Sequence, residues 1–177
     1  MASTIVSRTQ SGSESAAGRK TFTFSAWFKR TGLGSCELFG SDSNGARSNN
    51  YFIIDFNASD QLDISEYTSG SDFRLITNRQ FRDTSAWYHL VLAYDSTQGT
   101  SSNRIKIYIN GVQETSFSTE TYPSQDYQTK MFAQNKVHAF GRSGGQFDGL
   151  ISHVHATEGT AYAPTVFGST DSTTGEW

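Results

Sequence analysis

The carboxylates of Asp63 and Glu66, in the stretch "DISE", are the side chains best placed in this sequence to cleave a saccharide. Glycoside hydrolysis needs two carboxyl groups a few ångströms apart, one as acid and one as nucleophile or base. On a regular strand, however, residues three apart point to opposite faces. No third carboxylate completes a Glu-x-Asp-x-x-Glu spacing, and the sequence has no Ser/His/Asp arrangement, P-loop or dinucleotide motif. The sequence therefore predicts no catalytic residue.

Loop oxygens are a second kind of candidate site. Asp42 and Asn44 lie in "SDSNG", and Asp126 lies in "SQDY". Carboxylate and amide oxygens are the ligands that Ca²⁺ takes in proteins, but the same residues are ordinary turn formers. Ca²⁺ is therefore the one cofactor that the sequence suggests, and otherwise none is expected.

Aromatic side chains beside polar groups on loops form a third candidate, because sugars bind to aromatic faces flanked by hydrogen-bonding groups. The segment "TETYPSQDYQTKMF" is predicted to be a long loop, and two other loops carry charged or amide groups. A glycan or receptor site at these loops is one interpretation. The other is that Tyr122 and Tyr127 only pack the loop down or contact a neighbouring subunit. The candidates are Tyr122, Asp126, Tyr127, Arg142, Arg47 and Asn49.

The elements that must position these residues are strands. Phe22, Phe24, Ala26 and Phe28 alternate with polar residues, which predicts a strand with one buried face. No window of a dozen residues keeps a helical period, and turn clusters separate the apolar runs, as in a sandwich or barrel. The predicted strands are Lys20–Arg30, Cys36–Ser41, Tyr51–Phe56, Gln61–Tyr67, Phe73–Thr77, Trp87–Asp95, Asn103–Asn110, Val112–Phe117, Lys136–Gly141 and Phe147–Thr157.

The strand Trp87–Asp95 is apolar on both faces, which predicts a central position with material packed above and below it. Its His89 is either a hydrogen-bonded structural histidine, the interpretation that we favour, or a pH switch or ligand residue. The next strand ends at Asn110-Gly111, a typical hairpin bend. We expect a bulged turn with Gly111 at positive φ and Lys106 opposite Glu114, because a two-residue turn would set Glu114 against Ile107.

Composition excludes two classes of partner. The net charge is −3 and no Lys/Arg run exists, so nucleic acid is not an expected partner. No apolar run approaches the ~20 residues that a membrane-spanning helix needs, so membrane insertion is not expected. The sole cysteine, Cys36, lies in a predicted strand and is expected to be a buried side chain rather than a reactive thiol.

Three stretches of this chain together resemble a known family. "WYHLVLAYD", "RIKIYINGVQ" and "KVHAFGRSGGQFDGLISHVHAT" are similar to the laminin-G-like/pentraxin-like branch of the concanavalin A-type jelly roll, with Phe140 departing from a usual small aliphatic residue. The resemblance implies an all-β fold, a single jelly-roll sandwich of two antiparallel sheets. It implies a core over 20–157, an N-terminal strand or loop segment of the same domain over 1–19, and a C-terminal extension over 158–177 that packs on the sandwich or leaves it. The positions it makes structural are Trp87, His89, Asn110, Gly111, Phe147 and Gly149.

The two ends, "VSRTQSGSESAAGRKTFTFSAWFKR" and "ATEGTAYAPTVFGSTDSTTGEW", resemble laminin-G-like modules of virion structural proteins from tailed marine and cyanobacterial bacteriophages. More chain usually follows in those proteins, so we expect one module of a longer protein or a trimmed version. The resemblance implies a non-enzymatic virion component, made in the host cytoplasm, working as capsid decoration or as a tail or fibre module. We expect such a component to dock on other virion proteins or on copies of itself, as a homo-oligomer.

Two alternatives to the virion role are kept. The first is a carbohydrate-binding adhesin that recognises glycans of the host surface. The second is a glycoside hydrolase, which the spacing of Asp63 and Glu66 disfavours.

Overall fold

The computed structural model of the chain describes residues 5–13, 15–42, 50–141 and 145–177. Within them the fold consists of two antiparallel sheets facing each other. The elements are β1 (Val6–Thr9), α1 (Ala16–Lys20), β2 (Thr21–Arg30), β3 (Cys36–Asp42), β4 (Tyr51–Phe56), β5 (Gln61–Tyr67), β6 (Ser71–Gln80), β7 (Tyr88–Asp95), β8 (Ile105–Ile109), β9 (Val112–Gln113), β10 (Phe117–Thr121), β11 (Val137–Phe140) and β12 (Gly149–Glu158). Short 3₁₀ turns span Ser101–Asn103 and Pro164–Val166.

One sheet has seven strands in the order β1-β11-β3-β4-β5-β6-β10, and the other has five in the order β12-β2-β7-β8-β9. This confirms the predicted jelly-roll sandwich. Phe22, Phe24, Ala26 and Phe28 are fully buried between the sheets, as their alternation predicts. No helix of the described residues has the length and apolar character needed to cross a bilayer.

The predicted central strand is β7, which lies between β2 and β8 and is buried on both faces. Trp87, which was expected to be a structural residue, lies just before this strand and is 39% exposed. Its side chain is therefore not part of the hydrophobic core. Phe147 does pack inward, against Phe28 and Phe56. A side chain at Gly149 would meet the Lys29 carbonyl oxygen at 2.2 Å, so only glycine fits there.

The strand predicted over Val112–Phe117 is two strands in different sheets. β9 extends the five-stranded sheet, and β10 pairs with β6 at the edge of the seven-stranded sheet. The chain crosses between the sheets over the three residues that separate them. Similarly, β3 continues to Asp42, which was predicted to lie in a loop.

The predicted register of the Asn110-Gly111 hairpin is wrong, although Gly111 does have a positive φ of 77°. Ile109 pairs with Val112, and the Glu114 N–H donates to the Ile107 carbonyl at 2.8 Å. Asn110 also has a positive φ of 50°, so the bend is a two-residue type I′ turn, the hairpin turn that matches strand twist.

Glu114 explains why the two-residue turn is tolerated. Its carboxylate accepts a hydrogen bond from Arg79 Nε at 2.7 Å, and its side chain is 8% exposed. The expected penalty for placing a charge beside the isoleucines is therefore offset by an arginine from the other sheet. Sequence spacing within the hairpin gives no sign of that partner.

Both ends of the described chain join the sandwich. β1 pairs with β11 at one edge of the seven-stranded sheet. The segment after β12 contacts the outer face of the five-stranded sheet, where Thr23 Oγ1 donates to the Thr160 carbonyl at 2.7 Å. At the end of this segment the Trp177 indole N–H donates to His89 Nδ1 at 2.7 Å. The ring of Trp177 occupies the space that a side chain at Gly111 would need.

His89 is therefore a buried residue with both ring nitrogens hydrogen-bonded. Its Nε2 lies 2.9 Å from Ser25 Oγ, and its ring stacks on Trp27 with centroids 4.8 Å apart. Because Nδ1 accepts from Trp177, the imidazole is neutral, with its single N–H on Nε2. Burial, with a smaller contribution from the charge of His155, lowers the pKa of His89 to about 4.

We expect the free energy of unfolding to fall as the pH drops from 6.5 towards 4. The pKa of His89 is lower in the folded chain than in the unfolded chain. The neutral histidine therefore contributes its full stabilisation above a pH of about 6.5, and that contribution is lost as the pH falls towards the folded pKa of about 4. His89 accounts for at most about 3 kcal/mol of that loss. Chemical denaturation at a series of pH values, with the Trp177 indole N–H followed by NMR, measures it.

The control for this pH dependence is a pair of variants. His89→Gln should flatten the profile, whereas His153→Gln, which changes an exposed histidine, should leave it unchanged. A His89→Gln profile as steep as that of the wild type would contradict the assignment.

A candidate saccharide site

A cavity of about 410 Å³ opens on the outer face of the seven-stranded sheet, over its central strands β4, β5 and β6. The strands that form it alternate: Phe52, Ile54 and Phe56 enter the core, so the residues between them face outward. A cavity of this size is in the range that binds small ligands. It is lined by Ser35, Tyr51, Ile53, Asp55, Phe56, Asn57, Asp63, Ser65, Glu66, Tyr67 and Arg74.

Two tyrosines form an aromatic surface at this cavity. Tyr51 on β4 and Tyr67 on β5 are direct cross-strand partners, and both are partly exposed. Their rings stack with centroids 5.8 Å apart and an interplanar angle of 15°. A pair of rings held in one orientation by sheet register is a preformed apolar surface for a flat ligand.

A row of carboxylates crosses the same face. Glu37 on β3 pairs with Asp55 on β4, and Asp55 pairs with Asp63 on β5. Like charges directly opposite each other destabilise a sheet, so the row needs compensation. Arg74 on β6 supplies part of it, since its Nε lies 3.0 and 3.2 Å from the two Asp63 oxygens. The hydrogen bond that Arg74 donates to Asp63 raises the pKa of Arg74 above its ordinary value.

The cavity therefore combines an aromatic surface with a guanidinium and carboxylates that can donate to and accept from hydroxyl groups. This is the combination that protein sites use for saccharides. Arg74 remains 47% exposed at its side chain, whereas Asp63 is 5% exposed. The arginine thus presents its free edge to a ligand while the aspartate holds it in place.

Tyr127, a predicted ligand residue, packs against the sandwich. Its hydroxyl donates to Glu66 Oε1 at 2.7 Å, and its ring contacts Phe73 in the core. Tyr122 is partly buried against the core, and its hydroxyl donates to Glu120 at 2.7 Å. The structure therefore favours the interpretation that these tyrosines hold their segment against the sandwich.

The predicted calcium ligands do not converge in the described part of the chain. Asp126 forms an ion pair with Lys20 at 3.0 Å, in a turn where it has a positive φ of 62°. Asp42 is buried in β3 and pairs with Val137 on β11. The described residues contain no group of three or more His, Cys, Asp or Glu side chains able to hold a metal ion. The predictions for Asn44, Arg47, Asn49 and Arg142 lie outside the described residues.

Asp63 and Glu66 lie on opposite faces of β5, as their spacing predicts. Asp63 faces the outer cavity with Arg74, whereas the Glu66 carboxylate accepts from Tyr127, Thr129 Oγ1 and the Lys130 N–H of the segment packed against it. Burial raises the pKa of Glu66, and those three hydrogen bonds oppose the shift. The two carboxylates cannot act together as an acid and a nucleophile on one substrate.

The sequence predicts ligand residues in loops, whereas the residues of this cavity lie mainly within strands, so sequence reasoning does not identify them. The strands Tyr51–Phe56 and Gln61–Tyr67 were predicted with the bounds that the structure shows. Pairing them as a hairpin across "NASD" would have placed Tyr51 opposite Tyr67 and Asp55 opposite Asp63. The pairing of these two strands is therefore the feature of the sequence from which the site could be predicted.

Residues 7–166 of the chain match the family model described as the concanavalin A-like lectin/glucanases superfamily. No curated protein sequence gives a significant match. Among solved structures, domain 4 of AbnA, a GH43 extracellular arabinanase from Geobacillus stearothermophilus, in complex with arabinotriose, is similar with a TM-score of 0.57 and 22% identity. The likeness covers 83% of this chain and 65% of that one, less than two thirds of its length.

Two further structures show the same fold. The CBM40 of the Ruminococcus gnavus IT-sialidase is similar with a TM-score of 0.55 and 13% identity, over 86% of this chain and 85% of that one. A heptameric SAP-like pentraxin from Limulus polyphemus is similar with a TM-score of 0.52 and 12% identity, over 77% of this chain and 63% of that one. At these identities the likeness is one of fold.

Proposed function

We propose that this chain, which belongs to the concanavalin A-like lectin/glucanase superfamily, is a non-enzymatic carbohydrate-binding module. The observation that carries the proposal is the cavity over β4, β5 and β6, with the Tyr51–Tyr67 stack beside the Arg74–Asp63 pair. A sugar ring would lie with an apolar C–H face on the tyrosines. Its hydroxyl groups would donate to Asp55 and accept from Arg74.

Two neighbours support this use of the fold. One was solved in complex with arabinotriose, and another is described as a carbohydrate-binding module of a sialidase. They are precedents for this sandwich holding a saccharide, and a shared fold alone does not give a shared ligand. The support specific to this chain is the chemistry of its own cavity.

The virion role stays a prediction from the chain ends. If the module is part of a phage particle, saccharide binding through the outer face would make it an adhesin for host glycans. Docking on virion proteins, homo-oligomerisation and the virion location are part of that prediction. Immunogold labelling of particles and mass measurement in solution test them.

Replacing Tyr67 by alanine is expected to weaken saccharide binding by about tenfold, the equivalent of about 1.4 kcal/mol. The substitution removes half of the aromatic surface, and aromatic contacts contribute about 0.5–1.5 kcal/mol beyond the area that they bury. A glycan array identifies the ligand, and isothermal titration calorimetry measures the affinity.

The matched control is Tyr162→Ala, which removes a tyrosine that is 37% exposed on the side of the five-stranded sheet. It should bind like the wild type. Equal affinities of Tyr67→Ala and wild type would remove the site, and the absence of any glycan ligand would remove the function.

A further inference from the structure

We propose that residues 163–177 form a strap, held against the outer face of the five-stranded sheet, that opens when His89 takes up a proton while the sandwich stays folded. The saccharide cavity lies on the other sheet, so this inference is separate from the proposed function. It follows from the different ways in which the two ends of the strap are attached.

The near end of the strap follows a short stretch that is fixed to β2. The Gly159 N–H donates to the Thr21 carbonyl at 2.7 Å. Thr23 Oγ1 donates to the Thr160 carbonyl at 2.7 Å, and the Tyr162 N–H donates to Thr23 Oγ1 at the same distance. Backbone and threonine hydroxyl groups do not titrate between about pH 4 and about pH 7. Acid therefore leaves this attachment in place.

The far end of the strap is attached differently, through rings that rest on histidines. Phe167 packs on His155 of β12 with ring centroids 5.6 Å apart. The Trp177 indole N–H donates to His89 Nδ1 at 2.7 Å, and the two rings are inclined by 18°. Trp177 also covers Gly111, where a side chain would meet its ring at 2.2 Å. The far end is therefore held by side chains, with a hydrogen bond that ends on His89.

The strap also has backbone hydrogen bonds of its own. The Phe167 N–H donates to the Pro164 carbonyl at 2.9 Å, and the Gly175 N–H donates to the Asp171 carbonyl at 2.9 Å. Asp171 Oδ1 accepts from the Thr173 N–H at 2.7 Å. Because these bonds join strap residues to each other, the far end can leave the sheet without breaking them. Such an opening is local and needs less free energy than global unfolding.

A proton on His89 removes the contact that closes the strap. Nδ1 accepts from the Trp177 indole N–H, so protonated Nδ1 would be a donor facing a donor. The imidazole is also only 1% exposed, and a buried charge without a partner is costly. Opening of the strap relieves both penalties, because it removes the indole and admits water.

The charges around His89 act in the same direction. The titratable and charged groups on this face and on the strap are Asp95 on β7, Lys29 on β2, Lys106 and Tyr108 on β8, His153 and His155 on β12, Tyr162 in the attached stretch, and Asp171 and Glu176 on the strap. Burial first, and then the charge of His155, lower the pKa of His89. The closed strap therefore holds a neutral imidazole.

The test measures hydrogen exchange of the Trp177 indole N–H in the whole chain by NMR, from about pH 7.5 to about pH 4.5. Division by the rate of a free tryptophan amide at each pH gives a protection factor. The pKa of His89 is about 4 in the closed strap and approaches 6.5 in the open one. We therefore expect the protection factor to fall by at least about tenfold and at most about 80-fold. The backbone amides of β2 and β7 should stay better protected than the indole at every pH.

His89→Gln removes the group that takes the proton, so indole protection in this variant should not change with pH. His153→Gln, which changes an exposed histidine of β12, is the matched control and should keep the wild-type profile. The reciprocal test is Trp177→Ala, which removes the anchor of the strap. By linkage this variant should raise the pKa of His89 from about 4 towards 6.5, as read from its ring Cε1–H resonance. Circular dichroism checks folding, and Trp177→Ala carries the test if His89→Gln does not fold.

Four results would overturn the strap. They are an indole protection factor that is constant over this pH range, a loss of protection that β2 and β7 share, a His89→Gln profile as steep as that of the wild type, and an unchanged His89 pKa in Trp177→Ala. The second of these results would mean that acid unfolds the whole sandwich rather than opening one segment. None of them bears on saccharide binding, which is tested separately.

Discussion

Replacing Arg30 by methionine is expected to lower the free energy of unfolding by about 3–5 kcal/mol, because it removes one partner of a buried ion pair. Arg30 ends β2 and is fully buried. Its Nη2 lies 3.1 Å from Asp60 Oδ1, and that carboxylate is itself only 7% exposed. Methionine keeps much of the apolar volume, so the loss comes from the charge and its hydrogen bonds rather than from a cavity.

Besides Asp60, the Phe81 and Gly34 carbonyls and the Phe56 ring lose a partner in that variant. Nη1 of Arg30 donates to the Phe81 carbonyl at 3.0 Å, and Nη2 donates to the Gly34 carbonyl at 2.8 Å. The guanidinium also lies 4.5 Å from the centre of the Phe56 ring, a cation–π contact. Together with the Asp60 ion pair, these contacts connect the loops that follow β2, β4 and β6, so their loss acts on the whole fold.

Arg82 is the matched control, since it binds the other oxygen of the same carboxylate. Arg82 Nε lies 3.1 Å from Asp60 Oδ2, but its side chain is 57% exposed. Arg82→Met should therefore cost less than about 1 kcal/mol, as exposed ion pairs do. Denaturation with guanidinium chloride measures the free energy of unfolding of both variants. A loss of stability in Arg30→Met no larger than that in Arg82→Met would contradict the assignment.

The burial of Arg30 can be predicted from the sequence only in part. The alternation that places Phe22, Phe24 and Phe28 inward continues to Arg30 two residues later. The pattern predicts the direction of the side chain, but its charge gives no reason to expect full burial. The reason is Asp60, which lies in the turn between β4 and β5 and is distant in sequence. Periodicity determines which face a residue takes, and tertiary contacts determine whether a charge is tolerated there.

The candidate site can likewise be predicted from the sequence only in part. The strands that carry it were predicted with their correct bounds, because alternation is a local property. The site itself depends on which strands are neighbours, and Tyr51 meets Tyr67 only through the β4–β5 pairing. Conversely, Tyr127 was proposed as a ligand residue because it lies in a polar segment. Its partner Glu66 is 61 residues away, and nothing local distinguishes a packed tyrosine from an exposed one.

Glu66 is the second residue whose replacement should have a large effect, because it holds the segment between β10 and β11 against the sandwich. The carboxylate is fully buried and accepts from the Tyr127 hydroxyl at 2.7 Å and from the Lys130 N–H at 2.8 Å. Thr129 Oγ1 donates to it at 2.5 Å. A single side chain therefore satisfies three donors of a segment that has no strand of its own over these residues.

Glu66→Gln keeps the size of the side chain but turns one acceptor oxygen into an amide group that donates. The Tyr127 hydroxyl can then accept from that amide group, but all three hydrogen bonds lose their ionic acceptor, and hydrogen bonds to charged groups contribute about 1.5–3 kcal/mol each. We expect a loss of about 2–3 kcal/mol in unfolding free energy. Amide hydrogen exchange should also rise in Tyr127–Lys130 before it rises in β2 or β7, since local opening needs less free energy than global unfolding.

The control for Glu66→Gln is Glu120→Gln, the same substitution at a carboxylate that also accepts from a tyrosine. Tyr122 donates to Glu120 at 2.7 Å, but Glu120 is exposed, so water replaces the lost contact. That variant should cost about 0.5 kcal/mol or less, as surface substitutions do. If the two variants lose the same stability, or if exchange in the segment is unchanged in Glu66→Gln, Glu66 does not anchor it.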